Sequence, residues 1–163
     1  MLFDLKKIFA TYDAPVHSTE SMDLSGEDFP GYTIVNPVKA DFTATLEGSV
    51  MKLDLQIALT VLSQCARCLD DVHKDFVIEK TYMIRDAEWK NSETELSYTP
   101  DGKLDSRELV YTEIVLEIPT KLLCSENCAG LCPVCGNRKP CSCEHETSDT
   151  IDERLLILKQ LLN

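Results

Sequence analysis

Met51-Lys-Leu-Asp-Leu-Gln-Ile-Ala-Leu-Thr-Val61 decides the fold. Met51, Leu53, Leu55, Ile57, Leu59 and Val61 fill every odd position, and Lys52, Asp54, Gln56, Ala58 and Thr60 fill the even ones. A strand sends successive side chains to opposite faces, so the run reads as a half-buried strand with its odd face in a core. Upstream, Phe42, Ala44 and Leu46 alternate with Thr43, Thr45 and Glu47, and Gly48-Ser49 supplies a hairpin turn. Downstream, past Cys65 to Asp71, the alternation resumes with Phe76, Ile78, Tyr82 and Ile84, which places Cys65 and Cys68 at the tip of a second hairpin. An antiparallel β-meander follows.

The flanks are patterned differently. Residues 1–32 open with Leu2, Phe3, Leu5, Ile8 and Phe9, then turn polar around Pro15, Gly26 and Pro30, which predicts loosely regular structure. Asp86 to Gly102 is polar and reads as an exposed connection. A helix is expected next: Asp105 caps the N–H of Glu108, Glu108 reaches back, and Leu104 packs on Leu109. Leu109, Val110, Ile114, Val115, Leu116 and Ile118 make it apolar enough to cover one face of the sheet, and Pro119 stops it. Between Cys124 and Cys143, six cysteines, two glycines and two prolines leave no period, so this segment builds no core unaided. At the end, Thr150 and Glu153 form a capping box before a stripe of Ile151, Leu155, Leu158 and Leu162. The expected architecture is α+β: an antiparallel sheet covered by a helix, a cysteine-rich zinc-binding loop region and a C-terminal helix. Its segments are 1–32, 33–119, 120–145 and 146–163, in one compact domain.

A chain of 163 residues is too short for two large domains. With 16 Lys and Arg against 28 Asp and Glu, the net charge of −12 opposes adsorption to a phosphate backbone or an anionic membrane and favours basic partners. The first residues lack a signal-peptide pattern and no stretch is apolar enough to span a membrane, which predicts a cytoplasmic protein. In that reducing compartment, clustered thiols are more often metal ligands than disulfides.

The eight cysteines fall as Cys65-x2-Cys68, Cys124-x3-Cys128, Cys132-x2-Cys135 and Cys141-x-Cys143. Zinc favours four thiolates in a tetrahedron, so four chelating pairs predict two structural ions. The pairs can be matched in three ways. The preferred match puts Cys65, Cys68, Cys124 and Cys128 on one ion and Cys132, Cys135, Cys141 and Cys143 on the other. A redox Cys-x-x-Cys would need a thioredoxin-like βαβ setting, which is missing. Cys128-x3-Cys132-x2-Cys135 matches the iron–sulfur spacing of radical S-adenosylmethionine enzymes, but the 28 residues after Cys135 cannot build their barrel. His17, His73 and His145 stand alone in polar surroundings, with His145 a minor rival ligand. No phosphate loop or nucleophile motif is found, and thiolates filling every metal position leave none for water; no enzyme is expected, nor a small-molecule substrate.

Cys65-Ala-Arg-Cys68-Leu69, then Leu116-Glu-Ile-Pro119, then Cys124-Ser-Glu-Asn-Cys128-Ala-Gly-Leu-Cys132-Pro-Val-Cys135-Gly136 resembles the YceD family. The resemblance runs from about Asp41 to the last helix, where Ile151-Asp-Glu-Arg154 is similar to the family's Asp-Pro-Arg without the proline. It implies a non-catalytic factor in ribosome biogenesis that supports accumulation of large-subunit (23S) ribosomal RNA. Members are commonly encoded beside a small zinc-ribbon ribosomal protein, and some lack the later cysteine pairs. Charge then favours a basic large-subunit ribosomal protein or a pre-ribosomal particle as partner over direct RNA contact. Arg67, Lys121, Arg138 and Lys139 are the residues that could touch phosphate. The competing reading is a zinc-stabilised interaction module unrelated to ribosomes.

Overall fold

The computed structural model describes residues 2–4, 14–85, 96 and 103–143. The chain divides into two compact units, Met1–Cys128 and Ala129–Asn163, a boundary inside the 120–145 segment rather than at its edge. Among the described residues of the first unit the strands are β1 (Leu2–Asp4), β2 (Val16–Met22), β3 (Thr33–Ile34), β4 (Val38–Glu47), β5 (Val50–Gln64), β6 (Asp71–Arg85) and β7 (Lys103–Asp105). Among the described residues one helix, α1, covers Ser106–Glu117.

β5 organises the sheet. It pairs antiparallel with β6 along its whole length, from Val50 opposite Arg85 to Gln64 opposite Asp71. Val61 and Leu62 pair with β3 as well as with β6, and Leu55 pairs with both β4 and β6, so β3 and β4 lie in tandem on one side of β5 and β6 on the other. β2 extends the sheet beyond β4. A separate two-stranded ribbon joins β1 to β7. The turn between β4 and β5 falls at Gly48-Ser49, where Gly48 takes φ 64, a left-handed value that glycine accepts without a Cβ clash.

The odd face of β5 is the core, as its alternation requires: Met51, Leu53, Leu55, Ile57, Leu59 and Val61 are all buried. They pack with Val38, Ala40, Phe42 and Ala44 of β4, Ile78 and Ile84 of β6, and Leu109, Val110 and Ile114 of α1. The helix therefore covers the sheet. Its start departs from expectation in detail, because Asp105 Oδ1 accepts from the N–H of Arg107 at 2.9 Å rather than that of Glu108. Ile118 ends the helix in an extended conformation, which the ring of Pro119 imposes on its predecessor. Leu116, expected among the core residues, is 70% exposed.

Two further expectations are corrected. Residues 14–32 are more regular than their composition suggested: β2 is a seven-residue strand, and Leu24, Phe29 and Tyr32 belong to the core. Its polar inward positions are held by specific bonds, as where Ser106 Oγ donates to Glu20 Oε2 at 2.8 Å. Within the connection expected to be exposed, Leu96 is buried. The remainder of that connection and the C-terminal helix expected over 146–163 lie outside the described residues. Among the described residues no helix is long and apolar enough to cross a membrane.

Candidate metal centres

The hairpin tip between β5 and β6 is a tight turn whose hydrogen bonds bring two thiols together. The N–H of Leu69 donates to the Cys65 carbonyl at 2.9 Å, and the N–H of Cys65 donates to the Asp70 carbonyl at 2.8 Å. After α1 the chain returns to this tip. Gly31 makes room for it: a Cβ there would stand 2.8 Å from the Thr120 carbonyl oxygen. The N–H of Ala66 then donates to the Leu122 carbonyl at 2.9 Å, and Arg67 Nη1 donates to the Cys128 carbonyl at 2.9 Å.

These bonds set Cys65, Cys68, Cys124 and Cys128 into one cluster with all four sulfurs within 4.8 Å of one another. Cys65 Sγ lies 3.8 Å from Cys128 Sγ, and Cys68 Sγ 3.6 Å from Cys124 Sγ. Disulfide sulfurs would stand about 2.05 Å apart. Four thiolates about 2.3 Å from one ion stand about 3.8 Å apart, and the cluster fits that set. Cys65, Cys68 and Cys128 are buried, while Cys124 reaches the surface.

In the second unit, Cys132, Cys135, Cys141 and Cys143 form a like cluster within 4.8 Å. The turn repeats the first: the N–H of Gly136 donates to the Cys132 carbonyl at 2.8 Å, and the N–H of Cys132 to the Asn137 carbonyl at 2.7 Å. The N–H groups of Val134 and Cys135 both point at Cys132 Sγ, each at 3.4 Å. Here Cys132 is buried, Cys135 is exposed, and Cys141 and Cys143 are half-buried.

Electrostatics within the clusters agrees with this chemistry. The backbone N–H of Cys124, ahead of those of Arg67 and Cys68, pulls the Cys65 thiol down to about 6. The N–H of Cys135, with that of Val134, pulls Cys132 down to about 6. Crowding acts the other way on Cys143, where Cys135 and then burial push the thiol up to about 12. Neighbouring thiolates repel one another, and a bound cation relieves that repulsion. Both donor sets fit a thiophilic ion in a tetrahedral, fully occupied shell.

The eight thiols thus divide as the preferred match has them, and the reason is topological: the return after α1 meets the hairpin tip. Arg67, a candidate phosphate contact in the sequence, instead ties the two halves of the first cluster together. Spacing alone carries no sign of that role. His17 hydrogen-bonds Thr43 Oγ1 at 2.9 Å on the sheet surface and His73 is exposed on β6; neither belongs to a thiol cluster. His145 lies outside the described residues.

The family model for "Large ribosomal RNA subunit accumulation protein YceD" matches residues 53–162, which takes in β5 from Leu53 on, β6, α1 and all eight cysteines. The chain belongs to the YceD family. Its name ties the family to accumulation of the large ribosomal RNA subunit. An uncharacterised protein of Bacillus subtilis (strain 168), YlbN, is 28% identical over 130 residues, covering 78% of this chain and 76% of that protein. The uncharacterised protein Rv2926c of Mycobacterium tuberculosis (strain H37Rv) is 25% identical over 123 residues, 64% of this chain and 59% of its own length. No solved structure matches the chain.

Proposed function

We propose that each cluster holds one structural Zn²⁺, and that the chain is a non-catalytic cytoplasmic factor in ribosome biogenesis that binds a basic large-subunit ribosomal protein or pre-ribosomal particle. The observation that carries the reading is a YceD-family chain whose eight cysteines gather into two clusters of four; an ion held by four thiolates would have no position open to water or substrate. Bound there, zinc supplies cross-linking and no chemistry: Cys65 and Cys68 hold the hairpin tip, Cys124 and Cys128 the return from α1, and the other four cysteines close the loop after it. The net charge of −12 speeds encounter with a basic protein and slows encounter with RNA.

Two measurements test the reading. Tagged protein should co-sediment with large-subunit precursors from growing cells. In a salt series, its affinity for basic large-subunit proteins should fall as ionic strength rises, while purified large-subunit RNA binds poorly. Tight, salt-sensitive binding to RNA alone, abolished by changing Lys121, Arg138 and Lys139 to alanine, would make the cysteine region an RNA-binding surface. Absence from precursor particles would leave an interaction module unrelated to ribosomes.

A further inference from the structure

The two clusters offer the same donors in different surroundings. At the first, Cys65, Cys68 and Cys128 are buried and Cys124 alone is exposed. At the second the proportions reverse: Cys132 alone is buried, Cys135 is exposed, and Cys141 and Cys143 are half-buried. The residue after each turn's second cysteine deepens the contrast. Leu69 follows the buried Cys68, whereas Gly136 follows Cys135, and a Cβ at Gly136 would meet nothing within 4 Å. That flank of Cys135 is open among the described residues.

The clusters also differ in what must break to open them. Parting the first means undoing the bonds from Ala66 to the Leu122 carbonyl and from Arg67 to the Cys128 carbonyl, which join the hairpin tip to the return after α1. The second lies wholly within Cys132 to Cys143. Short loops open locally far more often than junctions between distant elements. Oxidation of a thiolate follows its charge and its exposure. Within the second cluster, Cys132 is the protected sulfur, because it is buried and accepts the N–H groups of Val134 and Cys135. Cys135 is the open one, and the half-buried Cys141 and Cys143 have their sulfurs within 4.8 Å of it.

We infer that the second centre is an oxidant-responsive site: hydrogen peroxide oxidises Cys135, one of the pair Cys141 and Cys143 closes a disulfide with it, and the ion is released while the first centre keeps its own. The inference rests on the reading that each cluster holds Zn²⁺. In the first step the Cys135 thiolate attacks a peroxide oxygen; an S–O bond forms, the O–O bond breaks, and hydroxide leaves a sulfenic acid behind. In the second, the Cys141 or Cys143 thiolate attacks that sulfur; an S–S bond forms, the S–O bond breaks, and a second hydroxide leaves. The two sulfurs have together given the peroxide its electron pair, and the two thiolates that remain are too few to hold the ion. A thiol reductant reopens the disulfide and restores the site.

The test uses the full chain purified without chelator, with its zinc counted before oxidant is added. Hydrogen peroxide beside a chromogenic chelator should release one ion at least about tenfold faster than the other. Cys65→Ser should keep only the fast release, and Cys141→Ser only the slow one. Trypsin cuts after Arg138, so the disulfide should link the peptide ending there to the one holding Cys141 and Cys143. That map is read on the unaltered chain and keeps the test whole if a variant misfolds. Dithiothreitol with added Zn²⁺ should return the lost ion. Release of both ions at one rate, of neither, or of the first centre's ion ahead of the second's would overturn the inference and leave the two-zinc reading standing. So would fast release at the same rate without peroxide, or a disulfide mapped elsewhere. Fewer than two ions before oxidant would overturn that reading, and the inference with it.

Discussion

Cys65–Asp70 and Cys132–Asn137 are the same turn built twice. In each, the N–H of the fifth residue donates to the first carbonyl and the N–H of the first donates to the sixth carbonyl. What differs is the length of chain the thiols join. The first cluster reaches across 63 positions from Cys65 to Cys128, whereas the second lies within Cys132 to Cys143. Local sequence makes the turn, and chain distance decides what the turn holds together. A metal in the first cluster cross-links a sheet to the segment beyond its helix; a metal in the second orders its own loop.

That contrast is broken most severely at Cys65. A cross-link closing 63 positions is worth about 4 kcal/mol of unfolded-chain entropy, so Cys65→Ser should lower the stability of the first unit by about that much in denaturant titrations. Cys141→Ser should change it by less than about 0.5 kcal/mol. Equal effects would erase the distinction. Chelation should nonetheless retain most of the strand signal in circular dichroism, because β4, β5 and β6 bury their core without help from the thiols.

Ile57→Ala probes the sheet without touching either thiol cluster. It empties a fully buried position and should cost about 3 kcal/mol with metal content unchanged. Gly31→Ala tests the packing that steers the return after α1. At φ 85, with the Thr120 carbonyl oxygen 2.8 Å from the added Cβ, it should cost about 2 kcal/mol. A neutral result would mean that segment moves freely.

The two turns also differ at the residue after the second cysteine. Gly136 takes φ 71, and Leu69 takes φ 63 with a full side chain. Gly136→Leu should cost about 1–2 kcal/mol of loop stability, while Leu69→Gly should cost nothing, because left-handed strain is relieved there. Smallest is an effect of alkali. Burial, and then Tyr111, push the Tyr32 phenol up to about 12 from an ordinary 10. The folded chain keeps that proton where the unfolded chain has lost it, so this stability is whole below pH 10 and lost as pH rises through about 12. Phenolate absorbance should show one late step, absent in Tyr32→Phe.

The sheet was readable where one face is apolar throughout, as in β5 and the inward positions of β4, and still readable in β6, where Lys74 and Lys80 interrupt the apolar face. β2 was not, because its inward residues include Ser18 and Glu20, the second bonded by Ser106 far along the chain. Leu116 misled for the converse reason: helical spacing gives an apolar stripe but not its width, and the edge of this one faces a cleft. The thiols announced themselves by spacing, yet three matches were open until the topology returned the segment after α1 to the hairpin tip. Arg67 carried no signal, since a backbone carbonyl leaves no motif in its donor.

The chain carries two separate four-thiol clusters, one joining the hairpin tip to the return after α1 and one within the loop beyond it. Elemental analysis, on protein purified without chelator, of the unaltered chain and of Cys65→Ser and Cys141→Ser tests it directly. The unaltered chain should carry two zinc ions, falling to one in either variant, with only Cys65→Ser lowering the stability of the first unit. One ion per chain beside four titratable thiols, or loss of both ions on a single substitution, would contradict it.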